Sequence, residues 1–182
     1  MSSYKFRVLL DNTNNEEIFR DISISDDNSF LEFYNIIIDA FYFNGDQLAS
    51  FYVSNNTWDK GREISLMDMG DNSSADSPLT MANTKLKNLV VSEDQKFILV
   101  YDFLKMWCFL IELVDIKPQQ IEEPIIELSI GISPQEESRE IDLGDEKIDD
   151  SFGLGNDFDD IFSEFEDEDD FGGFENIDDL DI

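Results

Sequence analysis

Apolar and polar side chains alternate along residues 1–132 at the periods of strands and of one helix. The first run has its apolar positions at Tyr4, Phe6, Val8 and Leu10. A second alternating run, residues 18–24, follows a turn-forming cluster of Asp, Asn and Thr. Strict alternation is typical of a strand with one buried face, so residues 4–24 predict two strands joined in a hairpin.

One strong amphipathic helix is predicted after the hairpin. Its apolar side chains recur at i, i+3, i+4, i+7, i+8 and i+11, at Phe30, Phe33, Tyr34, Ile37, Ile38 and Phe41. Ser29 precedes this run and Glu32 lies three positions further on, which is the pattern of a capping box. An apolar stripe of this kind is far more often a core face than a cofactor-binding face.

The rest of the domain is mainly strand. We expect strands at residues 48–53, 97–103, 107–113 and 125–132, a short edge strand at 63–67, and one or two helical turns at 84–90. Hairpin connections around a single strong helix predict an α+β fold. Its sheet is mainly antiparallel, with the main helix and a short second helix on one face.

The composition changes sharply near Ser133-Pro134. Residues 1–132 hold 10 basic and 22 acidic side chains, whereas residues 133–182 hold 2 basic and 21 acidic ones. In the second part the apolar residues are isolated among Asp, Glu and Gly. We therefore expect a folded domain at 1–132 and a disordered acidic tail at 133–182, because such a composition cannot bury enough apolar surface.

The charge of the whole chain limits its chemistry. It carries 43 acidic and 12 basic residues for a net charge of -31, which argues against direct nucleic-acid binding and against anionic membranes. There is no His and only one Cys, Cys108, so His-based triads, His metal sites and disulfides are excluded. We expect no cofactor and no metal. Residues 1–7 show no secretory pattern, and no apolar run is long enough to span a bilayer, so the expected location is cytoplasmic.

The tail carries a second pattern beside its charge. Phe158, Ile161, Phe162 and Phe165 stand at i, i+3, i+4 and i+7 among acidic residues. The last residues alternate acidic and aliphatic side chains and include Leu180 and Ile182. Acidic amphipathic segments of this kind fold into a groove on binding, so these six side chains are the predicted anchors for a basic protein partner.

Several short blocks of the domain are similar to those of a known family. They are Ile18-Phe19-Arg20-Asp21-Ile22, the helix from Ser29 to Phe41, Gln47-Leu48-Ala49-Ser50-Phe51, Leu86 to Leu89, Tyr101-Asp102-Phe103, Trp107 and Ile111-Glu112-Leu113. In this order and spacing, residues 4–116 resemble the Ri-plasmid (pRiA-type) ORF-3-like family, also described as insertion-element passenger or TnpR-family proteins. The resemblance implies an α+β fold and carries over no reaction. This chain has Gln47, Leu104-Lys105 and Phe109 where the family usually has His, Gly-Asp and His.

Three side chains are predicted to be structural. Arg20 shares a strand face with Ile18 and Ile22, so it should be buried, with a carboxylate partner at Asp102 or Glu112. Asp102 lies within an apolar strand, where a raised pKa would suit a general acid or base, although a solvated or Lys105-paired carboxylate is the plainer expectation. Trp107 is expected to pack in the core, because stacking of its ring on nucleic-acid bases would need a flanking basic groove that the sequence lacks.

These observations favour a non-enzymatic protein-interaction module with an acidic, aromatic recognition tail. One alternative is an enzyme of unknown reaction with a carboxylate site near Asp102, which would need a concave pocket with converging polar groups. The other is an acidic mimic of nucleic acid, which would need carboxylates spaced like phosphates on a rigid surface.

Overall fold

An eight-stranded sheet and one α-helix form the fold of the residues that the computed structural model describes, 1–68 and 78–141. The strands are β1 (Ser3–Leu10), β2 (Phe19–Ser25), β3 (Ala49–Ser54), β4 (Glu63–Ser65), β5 (Leu79–Thr80), β6 (Lys96–Tyr101), β7 (Trp107–Lys117) and β8 (Ile125–Ile130). The helix is α1 (Phe30–Ala40), and two 3₁₀ turns lie at Leu86–Asn88 and Glu136–Ser138. The strand order is β5-β4-β3-β6-β7-β1-β2-β8, and only the β4–β5 pair is parallel.

The observed elements confirm the predicted α+β class, with a mainly antiparallel sheet. β1 and β2 pair as the predicted hairpin, and α1 begins with the predicted capping box, in which Ser29 and Glu32 exchange hydrogen bonds. The predicted short second helix is a single 3₁₀ turn. Leu86 and Lys87 donate their N–H groups to the carbonyls of Asn28 and Asp26, which attaches the turn to the segment before α1. The predicted disordered tail comprises residues 133–182, of which residues 142–182 lie outside the described part of the chain.

The core lies between α1 and one face of the sheet and is dominated by aromatic rings. Phe33 of α1 stacks on Phe51 of β3, with ring centroids 5.7 Å apart and planes 9° apart. The same helix residue lies 4.8 Å from the ring of Phe6 on β1. Phe30 meets Phe97 edge to face at 5.3 Å. The helical stripe is therefore a core face, and Trp107 is buried in the same cluster, as expected.

Arg20 is buried beneath the end of α1, as the strand pattern predicts, but its partners are not carboxylates. Its Nε donates to the carbonyl of Ala40 at 3.1 Å, and its Nη1 donates to those of Phe19 (2.9 Å) and Ile130 (2.8 Å). The guanidinium also lies 4.8 Å from the ring centroid of Phe41. The expected pairing with Asp102 or Glu112 was therefore wrong, because the end of the helix and the last strand bring carbonyl groups to the guanidinium.

The two proposed partners of Arg20 have other roles. The Glu112 carboxylate forms an ion pair with Lys96 on the face of the sheet opposite α1, with 3.0 Å between Oε1 and Nζ. Asp102 lies in the turn between β6 and β7. The Arg20 side chain, bonded to three backbone carbonyls, joins three segments of the chain: β2, the end of α1 and β8.

Replacing Arg20 by Met should lower the free energy of unfolding by about 2–4 kcal/mol, because buried carbonyls of Ala40 and Ile130 would lose their donor. Chemical denaturation of the purified protein measures this loss. Arg62→Met, at an exposed side chain, is the matched control and should change stability by less than about 0.5 kcal/mol. Equal stabilities of the two variants would contradict the linking role of Arg20.

Candidate interaction surface

Strand β8 is an edge strand whose apolar side chains face solvent. It pairs with β2 on one side and is the last strand of the sheet order in the described part of the chain. All six of its residues are exposed, with Ile125 at 51%, Leu128 at 42% and Ile130 at 38%. Exposed apolar edges are templates for pairing with another strand, so this edge is a candidate surface for protein interaction.

Polar contacts, rather than apolar packing, attach β8 to the sheet. The register of the β2–β8 pair shifts between Asp21 and Ile22, opposite the stretch that contains Glu127. The carboxylate of Glu127 accepts hydrogen bonds from the Ser23 hydroxyl and from Lys5 Nζ at 2.8 Å. Lys117 Nζ lies 3.4 Å away. The hydrogen bond from Lys5, reinforced by that from Ser23, lowers the pKa of Glu127 from its ordinary value near 4.5 to about 2.

Gly131 turns the chain back onto the domain after β8. Its φ is +78°, and a Cβ there would approach the carbonyl oxygen of Glu17 to 2.6 Å, so only glycine fits without movement. Past this turn, the hydroxyl of Ser133 donates to the carbonyl of Phe41 at 2.8 Å. The first compact unit of the chain accordingly runs from Met1 to Asp142 and includes residues that the composition assigns to the tail.

Glu136 holds this returning segment in the domain. It is 7% exposed and accepts from the Tyr101 hydroxyl at 2.6 Å and from the backbone N–H of Asn44 at 2.7 Å. The Tyr101 hydroxyl in turn accepts from the N–H of Gly45 at 3.0 Å. Burial, followed by the hydrogen bond to Glu136, raises the pKa of Tyr101 well above its ordinary value. Sequence reasoning missed Glu136, since nothing in the pattern distinguishes it from its many acidic neighbours.

A cleft of about 480 Å³ opens at the end of β8. Its walls include the turn at residues 12–16, Ile132, Arg139 and Trp107. The Arg139 guanidinium lies 4.7 Å from the Trp107 ring centroid and donates to the carbonyl of Met106. The indole Nε1 of Trp107 is buried and makes no hydrogen bond to the described residues. Trp107 thus has the predicted core position and also supports the one cation that lines this cleft.

The side chain of Asp102 stabilises the backbone turn between β6 and β7. The residue adopts a φ of +59°, and its Oδ1 accepts from the N–H groups of Leu104 at 3.0 Å and Lys105 at 3.2 Å. The contact with Lys105 therefore uses its backbone N–H. A depression of about 160 Å³, whose lining includes Leu48 and Phe103, lies beside this turn. That volume is below the roughly 300–1,000 Å³ of common ligand pockets.

The predicted tail anchors are not placed by the structure. Phe158, Ile161, Phe162, Phe165, Leu180 and Ile182 lie outside the described residues. In residues 1–68 and 78–141, no group of three or more Cys, Asp or Glu side chains is arranged to hold a metal ion. The same residues contain no helix of the length and hydrophobicity that crossing a membrane requires.

Comparison with protein-family models shows which family the chain belongs to. The family model of the plasmid pRiA4b ORF-3-like protein matches residues 2–142. The chain belongs to this ORF-3-like family. The match extends past the blocks at residues 4–116 and includes β8 and the returning segment with Glu136 and Arg139. No curated protein gives a significant match.

The family fold also occurs in a solved structure. The crystal structure of a protein of unknown function, MM3350 from Methanosarcina mazei Go1, aligns with a TM-score of 0.64 and 20% sequence identity. The alignment covers 77% of this chain and 76% of that chain. At this level of identity the likeness concerns the fold.

A chain ending at residue 132 should be less stable than a chain ending at residue 141. The shorter chain lacks Glu136 and Arg139, which leaves the buried Tyr101 hydroxyl with only its longer hydrogen bond to Asp46 Oδ1 at 3.3 Å and uncovers Trp107. The expected loss of unfolding free energy is about 2–4 kcal/mol, measured by urea denaturation. The longer chain serves as the control and should match the full-length protein. Indistinguishable midpoints for the two truncations would show that residues 133–141 add nothing to the fold.

The contribution of Glu127 to stability should disappear in acid. Its folded pKa lies below its unfolded value, so the stabilisation is present above about pH 4.5 and is lost as the pH falls through about 2. Glu127→Gln should therefore cost about 1 kcal/mol at pH 7 and nothing near pH 2. Thermal unfolding across this range measures the difference. Glu122→Gln, at an exposed side chain before β8, should show no such dependence. A penalty for Glu127→Gln that is constant with pH would refute the ion-pair origin.

Proposed function

We propose that this protein is a non-enzymatic protein-interaction module that presents an acidic, aromatic C-terminal segment to a basic protein partner. The observation that carries the proposal is the sequence of residues 148–182, which hold 15 acidic side chains and no basic one. Within this charge, Phe158, Phe162 and Phe165 keep a helical spacing that a segment serving only solubility does not need.

A partner would remove two obstacles to ordering this segment. Carboxylates repel one another along a free helix, and a single short amphipathic helix has nothing against which to bury its rings. A groove with basic walls and an apolar floor offsets the repulsion and covers the aromatic side chains. Each buried Phe contributes about 1.5–3 kcal/mol before ordering costs, so three of them support roughly micromolar binding.

The folded part of the chain supports the same class of function. It exposes four aliphatic side chains on one edge strand, Ile125, Ile126, Leu128 and Ile130, and exposed apolar surfaces of this kind are typical of protein contacts. Asp102, the carboxylate proposed for a catalytic alternative, has an oxygen engaged by two backbone N–H groups of its own turn. We place the interaction in the cytoplasm, where the single free thiol of Cys108 would stay reduced.

Replacing Phe158, Phe162 and Phe165 together by Ala should weaken the binding of a partner by at least about tenfold, even at low salt, because three buried rings are lost. The partner is first enriched with the full-length chain and identified, and its affinity is then measured by calorimetry. Added salt should weaken binding to the parent chain by screening.

The tail offers a matched control in its other aromatic residues. Phe152, Phe171 and Phe174 lie outside the helical spacing, so their triple Ala variant keeps the charge and the number of substitutions and should bind as the parent does. If the Phe158/Phe162/Phe165 variant binds as tightly as the parent while salt still abolishes binding, the segment acts through charge alone. That result would support a solvating tail or a nucleic-acid mimic in place of aromatic recognition.

A further inference from the structure

We propose that the free edge of β8 binds an extended, cationic segment of a partner protein by strand addition. This inference rests on the proposed interaction function and assigns it a second surface, in the folded domain. The surface consists of Ile125–Ile130, called the β8 edge below. Three observations point to it: an unpaired strand edge, aliphatic side chains exposed on it, and two exposed carboxylates, Glu122 and Glu123, next to its start.

The backbone of the β8 edge is available for pairing. β8 is hydrogen-bonded to β2 alone among the described strands, and it ends the eight-strand order. A strand has N–H and C=O groups on both of its sides, so pairing with one neighbour leaves one row free. No Pro or Lys interrupts Ile125–Ile130, although these are residues with which natural proteins commonly block an open edge.

The side chains of the β8 edge suit an alternating aliphatic partner. In the β2–β8 register, Leu128 lies opposite Asp21 and Ile130 opposite Phe19, so these two side chains project from the same face of the sheet, opposite α1. Ile126 lies opposite Ile22 and projects from the other face. An added strand would bring its own side chains beside these, and cross-strand pairs of aliphatic side chains are a main source of sheet stability.

The charge around the β8 edge selects the kind of strand. No Lys or Arg occurs between Lys117 and Arg139, whereas Glu122, Glu123 and Glu127 precede or lie within β8. Glu122 and Glu123 are exposed and lie next to the start of the strand. Glu127 is already paired with Lys5 and Lys117, so the carboxylates open to a partner are Glu122 and Glu123. Together with the net charge of -31 they favour a cationic strand with aliphatic residues between its charges.

A second copy of this chain fits the β8 edge poorly. Pairing of two β8 strands would join two chains that each carry a net charge of -31. The cleft lined by Arg139 and Trp107 is a weaker candidate for a new site, because its guanidinium already donates to the carbonyl of Met106 and packs on the Trp107 ring.

The test uses the full-length protein and a synthetic peptide of alternating Lys and Val, seven residues long and blocked at both ends. Calorimetry should detect binding, and hydrogen exchange should slow at the amides of Ile125–Ile130. A second peptide of the same sequence carries an N-methyl group on every residue, which blocks strand pairing along both of its edges without changing charge. Its affinity should be at least about tenfold lower.

A pair of double variants tests the side chains. Leu128→Ser with Ile130→Ser should weaken binding of the alternating peptide by about tenfold, because the aliphatic cross-strand contacts are lost. Val91→Ser with Leu104→Ser, at positions that are 85% and 69% exposed, is the matched control and should bind as the parent does. Circular dichroism verifies that both variants are folded, and the N-methylated peptide tests the same idea on the unaltered protein.

Specific outcomes would overturn the inference. Equal affinities for the two peptides, or exchange protection absent from Ile125–Ile130, would show that the acidic chain attracts the peptide by charge alone. A parent dimer in light scattering that becomes monomeric in the Leu128→Ser/Ile130→Ser variant would assign the β8 edge to a second copy. Loss of the natural partner by the Phe158/Phe162/Phe165 variant, with the β8 variant unaffected, would overturn this inference and leave the proposed function standing.

Discussion

The attachment of the last strand depends on one buried cation. The guanidinium of Arg20 donates to carbonyls from β2, from the last residue of α1 and from the last residue of β8, at 2.8–3.1 Å. Arg is suited to this position because its planar group offers several donors in fixed directions and stays charged. The side chains of β8 add little packing, so a polar link of this kind is needed to hold the strand and to set the start of the returning segment.

The returning segment shows how an acidic chain uses one carboxylate inside its fold. Glu136 lies where the Tyr101 hydroxyl and the Asn44 N–H both need an acceptor, so its desolvation is offset by two hydrogen bonds. Glu137 and Glu140 of the same segment are exposed. Glu127 pairs with Lys5 and Ser23, and it connects β8 to β1 and β2 across the outer face of the sheet. The β8 edge is thus anchored by charge while its aliphatic side chains remain exposed.

An apolar strand edge and a net charge of -31 have opposite effects on association. The edge favours pairing with another chain, while the charge opposes contact between copies and attracts cationic partners. The two proposed binding surfaces, the acidic aromatic segment and the β8 edge, both favour cationic partners. In these proposals the first depends on aromatic rings and the second on backbone pairing.

The sequence by itself determined the helix and seven of the eight strands, because alternation and the 3.6-residue period of Phe30, Phe33 and Ile37 follow from burial of one face. The two-residue strand β5 is too short to show alternation and was not predicted. The sequence also determined the capping box at Ser29, which depends on residues three positions apart. The tertiary structure decided the partners of Arg20, because Ala40 and Ile130 are distant from it along the chain. Every residue has a backbone carbonyl, so the sequence does not show which carbonyls a side chain will contact. The tertiary structure likewise decided that Asp102 forms a turn and that Glu136 is buried. Both are single acidic residues among many, and only the meeting of distant segments gives each its role.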